Sequence, residues 1–201
     1  MDRRVKRTKK ILYEALLTLM QNKAINKITV KELTELADIN RKTFYLHYTD
    51  IFDMIDQIKE NILLEFNDII SKHKFTSETK EDLYLLLNEI IIFIDTNYDI
   101  LSILLGPHIN ADSNFIYKLK IIMKERCIDI WSNIFPNGNL KNYDYFYSFA
   151  FSGFIGLIQN WISLERQDSI EYLTKLSNGI LNTCSIILNQ PELDELNSNK
   201  K

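Results

Sequence analysis

The chain has few of the residues that break helices or cross-link a fold. Its 201 residues include five Gly, three Pro and two Cys. Because helix breakers are scarce and apolar residues recur at helical spacing, we predict an all-α protein of about nine helices. Cys127 and Cys184 lie far apart in apolar stretches, which favours reduced core thiols over a disulfide scaffold.

Several functional classes lack their sequence signals. No apolar run is long and charge-free enough to cross a bilayer, and the N-terminus has no secretory pattern, so we expect no membrane partner and a cytoplasmic location. His47, His73 and His108 lie in separate segments, the cysteines lack metal-ligand spacing, and no Gly-rich phosphate loop is present. We therefore predict no metal, no cofactor and no enzymatic activity. A catalytic cavity among the aromatic-rich helices is the alternative.

Charge is segregated along the chain. Residues 1–48 contain eleven Lys or Arg and five Asp or Glu, a net charge of +6. The whole chain carries −3, which leaves −9 for the remainder. A basic N-terminal segment attracts phosphate and an acidic remainder keeps other surfaces away from it, so this distribution indicates a nucleic-acid partner. The alternative is a Lys-rich N-terminus that serves only solubility.

Residues 28–50 have the pattern of two short helices around a tight turn. Thr29 is suited to cap the first helix, and Glu32, three residues on, to complete a capping box. The turn occupies residues 38–40, and Asn40 is suited to cap a second helix that opens with Arg41, Lys42 and Thr43. The positive end of that helix then presents two cations and a hydroxyl. The pattern predicts a helix-turn-helix that binds double-stranded DNA.

The residues Thr43 to Tyr48, TFYLHY, resemble the signature that ends the recognition helix in the TetR family of bacterial transcriptional regulators. The resemblance implies a three-helix DNA-binding domain at residues 1–50, whose third helix enters the major groove. It also implies a helical effector-binding and dimerisation domain at residues 51–190. The polar tail, residues 191–201, is predicted to be disordered.

Two residues depart from the family pattern. Asp38 stands where the family usually has Gly, at a left-handed turn position that Asp and Asn tolerate best among the other residues. Ile51 stands where a Lys usually opens the fourth helix and contacts phosphate. We therefore expect one backbone contact to be missing or to come from another residue.

The DNA contacts are assigned to residues around the third helix. Arg and Lys suit the acceptors of guanine, and Thr suits the thymine methyl group. By their match to the family motif, Thr29, Tyr45 and His47 are expected to hold phosphates. The full set is Thr29, Asn40, Arg41, Lys42, Thr43, Tyr45 and His47. Tyr48 is expected in the core. Alternatively, His47 is a buried histidine at the domain junction, and Arg41 and Lys42 are ordinary solvated charges.

The later helices are expected to surround an effector site. A fourth helix of roughly 30 Å begins after residue 49 or 50, and further helices follow near residues 99–105, 112–135, 143–164 and 169–189. In this family helices four to seven enclose a mostly apolar cavity for a small effector, which tilts the fourth helix. The first suspects there are Tyr98, His108, Cys127 and Trp131. Simple packing of these side chains, constitutive binding and control by a protein partner are the alternatives.

The eighth helix carries aromatic residues almost all around it, so some must meet another surface. Ser152, Gly153 and Gly156 form a small-residue patch there, and Gly179 is similar in the ninth helix. The resemblance implies that these two helices pair with their copies in a homodimer. The alternative is that the glycines fit helix crossings inside one chain.

Together these features predict a ligand-responsive repressor that binds a palindromic operator as a homodimer. The alternative is a coactivator or protein-interaction module of the same fold that acts through another regulator.

Overall fold

The computed structural model describes residues 3–72, 81–134 and 139–189, and every regular element in those ranges is helical. This confirms the all-α prediction. The predicted tail, residues 191–201, lies outside the described residues. Two short 3-10 helices, Ile25–Lys27 and Ile186–Asn189, accompany nine α-helices in the described part of the chain. The α-helices are α1 (Arg3–Met20), α2 (Val30–Leu36), α3 (Arg41–Tyr45), α4 (Ile51–Lys72), α5 (Glu81–Thr96), α6 (Tyr98–Leu105), α7 (Ser113–Ile134), α8 (Leu140–Ser163) and α9 (Ile170–Ser185).

Helices α1 to α3 form a compact N-terminal unit, which we call the head. Its helices are short or amphipathic, and they bury their apolar sides mainly against one another. Leu12 and Leu16 of α1, Leu33 of α2 and Phe44 of α3 are all fully buried in this core. The first turn of α4 closes it with Met54, which is also inaccessible to water. Residues from α1, α2 and α4 thus fix the orientation of the short α3.

Helix α4 connects the head to the remaining helices, which we call the body. Its 22 residues span about 33 Å at a rise of 1.5 Å per residue. Ile51 and Ile55 near its start are buried with the head, whereas Ile62, Phe66 and Ile70 are buried with the body. A single apolar stripe therefore serves both parts of the molecule.

The body is a bundle in which α5 packs on α9, α7 on α8, and α4 on α5 and α7. The short α6 ends at Gly106, where an added Cβ would overlap the Ser102 carbonyl oxygen. The following Pro107 has no N–H to continue the helix. Within the described ranges, no helix combines the length and the apolar character that a bilayer crossing needs.

The boundaries of the last helices follow their caps. Helix α8 begins three residues before the predicted Tyr143, because the Asn139 side chain accepts a hydrogen bond from the Lys141 backbone N–H at 2.9 Å. Helix α9 begins next to the predicted position 169, because the Ser169 hydroxyl accepts a hydrogen bond from Tyr172 N–H at 3.1 Å and caps the helix. The last four residues of the predicted ninth helix are instead a 3-10 helix.

Candidate nucleic-acid interface

Helix α2 begins with the predicted capping interactions. The Thr29 hydroxyl accepts a hydrogen bond from Glu32 N–H at 3.2 Å. The Glu32 carboxylate accepts two hydrogen bonds from Lys23 Nζ, at 2.9 and 2.7 Å. Lys23, together with the backbone N–H of Thr29, lowers the pKa of Glu32 below its usual value. The predicted Thr29 cap is therefore present, and the Glu32 carboxylate is held by Lys23, a contact that the sequence pattern does not predict.

The turn between α2 and α3 has the left-handed backbone that the resemblance to the TetR family implies. Asp38 has a φ of 51°, in the region where Gly is favoured and Asp is tolerated. The next residue closes the turn, because Ile39 N–H donates to Thr34 O at 3.0 Å. Asp at this position therefore preserves the turn that places α3.

Helix α3 presents a cationic N-terminal tip, which we define as residues Asn40 to Thr43. The Asn40 side chain accepts a hydrogen bond from Lys42 N–H at 2.8 Å and so caps the helix. Arg41 and Lys42 are exposed, and neither forms an ion pair with another described residue. Thr43 is half-buried. The buried Phe44 anchors the helix from below, so the two cations are held on a fixed support and remain available to a ligand.

The C-terminal part of the recognition segment alternates between core and surface. Tyr45 is 57% exposed and its ring meets Phe44 edge to face, with centroids 5.4 Å apart. Tyr48 is buried, as expected. His47 is half-buried, and its ring lies 6.3 Å from that of Tyr48 without a hydrogen bond to a described residue. The buried, hydrogen-bonded histidine considered as an alternative is therefore not what the structure shows.

The start of α4 differs from the family pattern in its electrostatics. Ile51 is only 4% exposed and belongs to the core, so no cation projects from this position. The nearby Lys9 of α1 is half-buried, with Nζ 5.2 Å from the centroid of the Tyr48 ring. Its charge also helps to lower the pKa of Asp53, after the hydrogen bonds that this carboxylate accepts from Thr49 N–H and Gln57. Nothing in the local sequence around Lys9 places it beside α4, so its position there follows only from the fold.

Two of the four effector candidates share a cavity in the body. Cys127 and Trp131 line an almost wholly apolar cavity of about 40 Å³ between α5, α7, α8 and α9, and burial raises the pKa of the Cys127 thiol to about 12. A second apolar cavity, of about 20 Å³, shares Met123, Phe151 and Phe154 with the first. It reaches α4 and α6 through Ile62, Phe66, Leu101 and Leu105.

The other two effector candidates lie outside both cavities. The Arg166 guanidinium covers the Tyr98 ring at 3.8 Å from its centroid. The His108 ring contacts the backbone of the connection between α1 and α2, with Nε2 3.2 Å from Gln21 O. The structure therefore separates Tyr98 and His108 from Cys127 and Trp131. No group of three or more His, Cys, Asp or Glu in the described ranges is arranged to hold a metal ion.

The predicted small-residue patch lies on an open face of α8 and α9. Ser152, Gly153, Gly156 and Gly179 are all exposed, and a Cβ added at any of the three glycines would meet nothing within 4 Å. The glycines therefore do not serve helix crossings inside one chain. The large apolar side chains exposed on the same two helices are Leu140, Tyr145, Phe149, Tyr172, Leu176 and Ile180.

Known proteins with similar sequences or folds are transcriptional regulators. An uncharacterised helix-turn-helix regulator of Bacillus subtilis (strain 168), YxbF, is 41% identical over 49 residues, which are 24% of this chain and 13% of that protein. The match thus spans only a small part of that relative's length.

Solved structures share the fold over nearly the whole chain. A transcriptional regulator from Aquifex aeolicus VF5 has a TM-score of 0.67 at 17% identity, over 88% of this chain and 99% of that one. The regulator FadR from Bacillus subtilis, solved in complex with stearoyl-CoA, has a TM-score of 0.57 at 14% identity, over 86% of this chain and 97% of that one.

The family assignment follows from a sequence match in the body. Residues 81–183, just over half of the chain, match the TetR_C_8 model, which describes a transcriptional regulator C-terminal region. This match complements the capped helix-turn-helix of the head, because the two lie in different parts of the chain. The protein belongs to the TetR family of transcriptional regulators.

Proposed function

We propose that the protein is a sequence-specific DNA-binding regulator that inserts α3 into the major groove. The observation that carries this proposal is the tip, where two exposed cations stand on a capped and anchored helix and form no ion pair with any residue that the structure describes. Free surface cations alone are common. A rigid helix start that directs two of them outward is the arrangement that base recognition requires.

The head residues divide into base readers and phosphate contacts. Arg41 and Lys42 are proposed to donate to guanine, and Thr43 to pack against thymine. Asn40 uses its side-chain oxygen as the cap, so its amide N–H groups remain available as donors. Thr29 likewise accepts in its cap and retains its hydroxyl proton for a phosphate. The phosphate set is completed by the exposed Tyr45 and the half-buried His47.

We further propose a homodimer through α8 and α9. It is supported by the exposed apolar side chains of these helices and by Ser152, Gly153, Gly156 and Gly179, which allow a second helix to approach closely. A twofold dimer carries two copies of α3, and it reads a palindromic operator when they lie about 34–36 Å apart. The proposal divides the chain into a DNA-binding domain at residues 1–50 and an effector-binding and dimerisation domain at residues 51–190.

An apolar effector is proposed to enter the two adjoining cavities, with Cys127 and Trp131 among its contacts. Their combined volume is far below the roughly 300–1,000 Å³ of typical ligand pockets, so entry requires side chains such as Met123 to move. The second cavity reaches Ile62 and Phe66 of α4, which gives a ligand a direct way to tilt that helix. Because FadR of Bacillus subtilis binds stearoyl-CoA, long acyl chains are the first class to test. A melting temperature of the full chain that no long-chain acyl compound raises would count against this effector class.

The sign of regulation is proposed to be repression, because a dimer on an operator excludes other proteins from that DNA. The burial of Ile51 favours one second candidate, a coactivator of the same fold that acts through another regulator, since it removes a phosphate contact.

Selection of bound fragments from the source organism's genomic DNA, at several salt concentrations, tests the DNA-binding proposal. We expect enrichment of a palindrome and a steep loss of affinity with salt. The substitutions Arg41→Ala and Lys42→Ala should each weaken operator binding by about 1–3 kcal/mol and relax base preference. Lys118→Ala removes an exposed cation of the body and should change neither. Equal retention of all fragments by the wild-type chain would favour the coactivator.

A further inference from the structure

The loop between α6 and α7 attaches the body to the head through one buried side chain. Residues 108–112, which we call the strap, follow Gly106 and Pro107. Within it, Asn110 is only 9% exposed. Its Nδ2 donates to Met20 O at 2.9 Å and to Lys23 O at 2.8 Å, and its Oδ1 accepts from Ile25 N–H at 2.8 Å. One side chain therefore satisfies three backbone groups of the connection between α1 and α2.

A second strap residue strengthens this attachment. His108 Nδ1 accepts from the backbone N–H of Asn110 at 3.1 Å, which leaves Nε2 as the donor to Gln21 O at 3.2 Å. The carbonyl groups at the C-terminal end of α1 have no partner within their own helix. The strap, almost ninety positions away in sequence, supplies a partner for the last of them, Met20 O, and another for Gln21 O just beyond the helix.

The other end of the strap is attached to α4. Asp112 lies 3.1 Å from Lys59 Nζ, which also pairs with Asp56 at 2.7 Å. The second carboxylate oxygen of Asp112 accepts from Phe115 N–H at 2.9 Å and so caps α7. The strap thus contacts both the end of α1 and the third turn of α4.

These contacts are directional, unlike the apolar packing around them. Apolar side chains keep most of their contact energy when two surfaces slide slightly, whereas a hydrogen bond weakens steeply when its angle changes. Three hydrogen bonds from one planar amide therefore fix the rotation of the α1–α2 connection relative to the body.

We propose that Asn110 is a positioning residue for DNA binding. It holds the head in one orientation relative to the body, and so it keeps the two copies of α3 in a dimer at the separation that an operator requires. This inference rests on the proposed function, but the orientation of the head is measurable without DNA.

Pulsed electron paramagnetic resonance on the full chain measures that orientation. Glu35 in the head and Tyr117 in the body are exposed. Spin labels are attached to the cysteines of Glu35→Cys and Tyr117→Cys, in a chain that also carries Cys184→Ser. An excess of unlabelled chain limits the signal to distances within one chain. We expect one narrow distance distribution for this parent chain and for Asn114→Ala, an exposed control on α7. Asn110→Ala should broaden the distribution.

Two further variants grade the effect. Asn110→Asp keeps the acceptor for Ile25 N–H but turns both donor contacts into oxygen–oxygen repulsion, so it should broaden the distribution at least as much as Asn110→Ala. His108→Ala removes one outer contact and should broaden it less, which keeps the test available if the Asn110 variants unfold. For the selected operator, we expect Asn110→Ala to lower the affinity about tenfold, as the loss of one to two net hydrogen bonds would.

The outcomes separate this inference from the proposed function. A purely structural role would lower the unfolding midpoint of the Asn110 and His108 variants while the distances in folded chains stayed narrow, and that result overturns the proposal. Unchanged operator affinity in Asn110→Ala also overturns it. If the wild-type chain selects no operator, the proposed function is wrong, and the distance distributions still decide whether Asn110 orients the head.

Discussion

The tip of α3 and the open face of α8 and α9 are both exposed, but the two kinds of exposure are not equally strong evidence for a binding partner. Arg41 and Lys42 at the tip are charged groups that water solvates well, so leaving them exposed costs nothing. On the open face, Phe149 is 62% exposed and Tyr145 68%. Large apolar side chains clustered in water are unfavourable, so the open face by itself indicates a partner. The tip needs its cap, its anchor and its family context before it indicates one.

The largest effect is expected from a substitution that blocks the open face. Gly156→Trp adds a large side chain where the single chain has nothing within 4 Å, so the monomer should fold normally. In a homodimer the same side chain enters a close helix–helix contact, where overpacking costs about 1–3 kcal/mol for each chain. We expect the dimer dissociation constant, measured by analytical ultracentrifugation, to rise about a hundredfold. Operator affinity should fall with it.

A matched change elsewhere separates blocking from general damage. Ile121 is an exposed apolar residue of α7, away from the open face, and Ile121→Trp should leave the dimer intact. A Gly156→Trp chain that dimerises as tightly as the wild type would show that α8 and α9 do not form the dimer interface.

The second prediction concerns the head, where Ile51 leaves no cation at the start of α4. Lys9 lies beside that start, so we expect it to supply the missing phosphate contact. Lys9→Ala should weaken binding to all sequences by a similar, several-fold factor. It should also reduce the slope of log affinity against log salt by about 0.9, as the loss of one phosphate contact does. Fluorescence anisotropy titrations at four or five salt concentrations measure both quantities.

Lys118→Ala again serves as the control, because it removes one positive charge from the body. If Lys9→Ala lowers stability but leaves the salt slope unchanged, Lys9 acts only through its contact with the Tyr48 ring, and the phosphate role is wrong.

The parts of the fold that the sequence predicted well are those with local signals. The caps at Thr29 and Asn40, and the turn at Asp38, depend on residues within five positions of one another. Each helix end was therefore predictable wherever a cap was recognised. Asn139 caps α8 as well, and α8 therefore begins earlier than the sequence predicts.

The features that the sequence did not predict depend on distant contacts. Asn110 is an ordinary polar residue in its own segment, and only the fold brings it to Met20 and Lys23. Likewise, His108 and Tyr98 resemble cavity residues in sequence, but the fold directs His108 to the end of α1 and places Arg166 over Tyr98. Helical periodicity identifies an apolar face without identifying the element that will cover it.

The smallest predicted effect concerns Asp38, in the turn between α2 and α3 of the head. Asp38→Gly should stabilise the chain by about 0.5–1 kcal/mol, because Gly adopts the φ of 51° without the steric penalty of a Cβ. The unfolding midpoint should rise by about 1–4 °C for a chain of this size. Asp38→Ala should lower it, since Ala has the penalty without the local hydrogen-bonding capacity of Asp. If Asp38→Gly also lowers the unfolding midpoint, the Asp38 side chain stabilises the turn by more than the removal of the steric penalty would. The family's usual Gly would then offer this chain no advantage at that position.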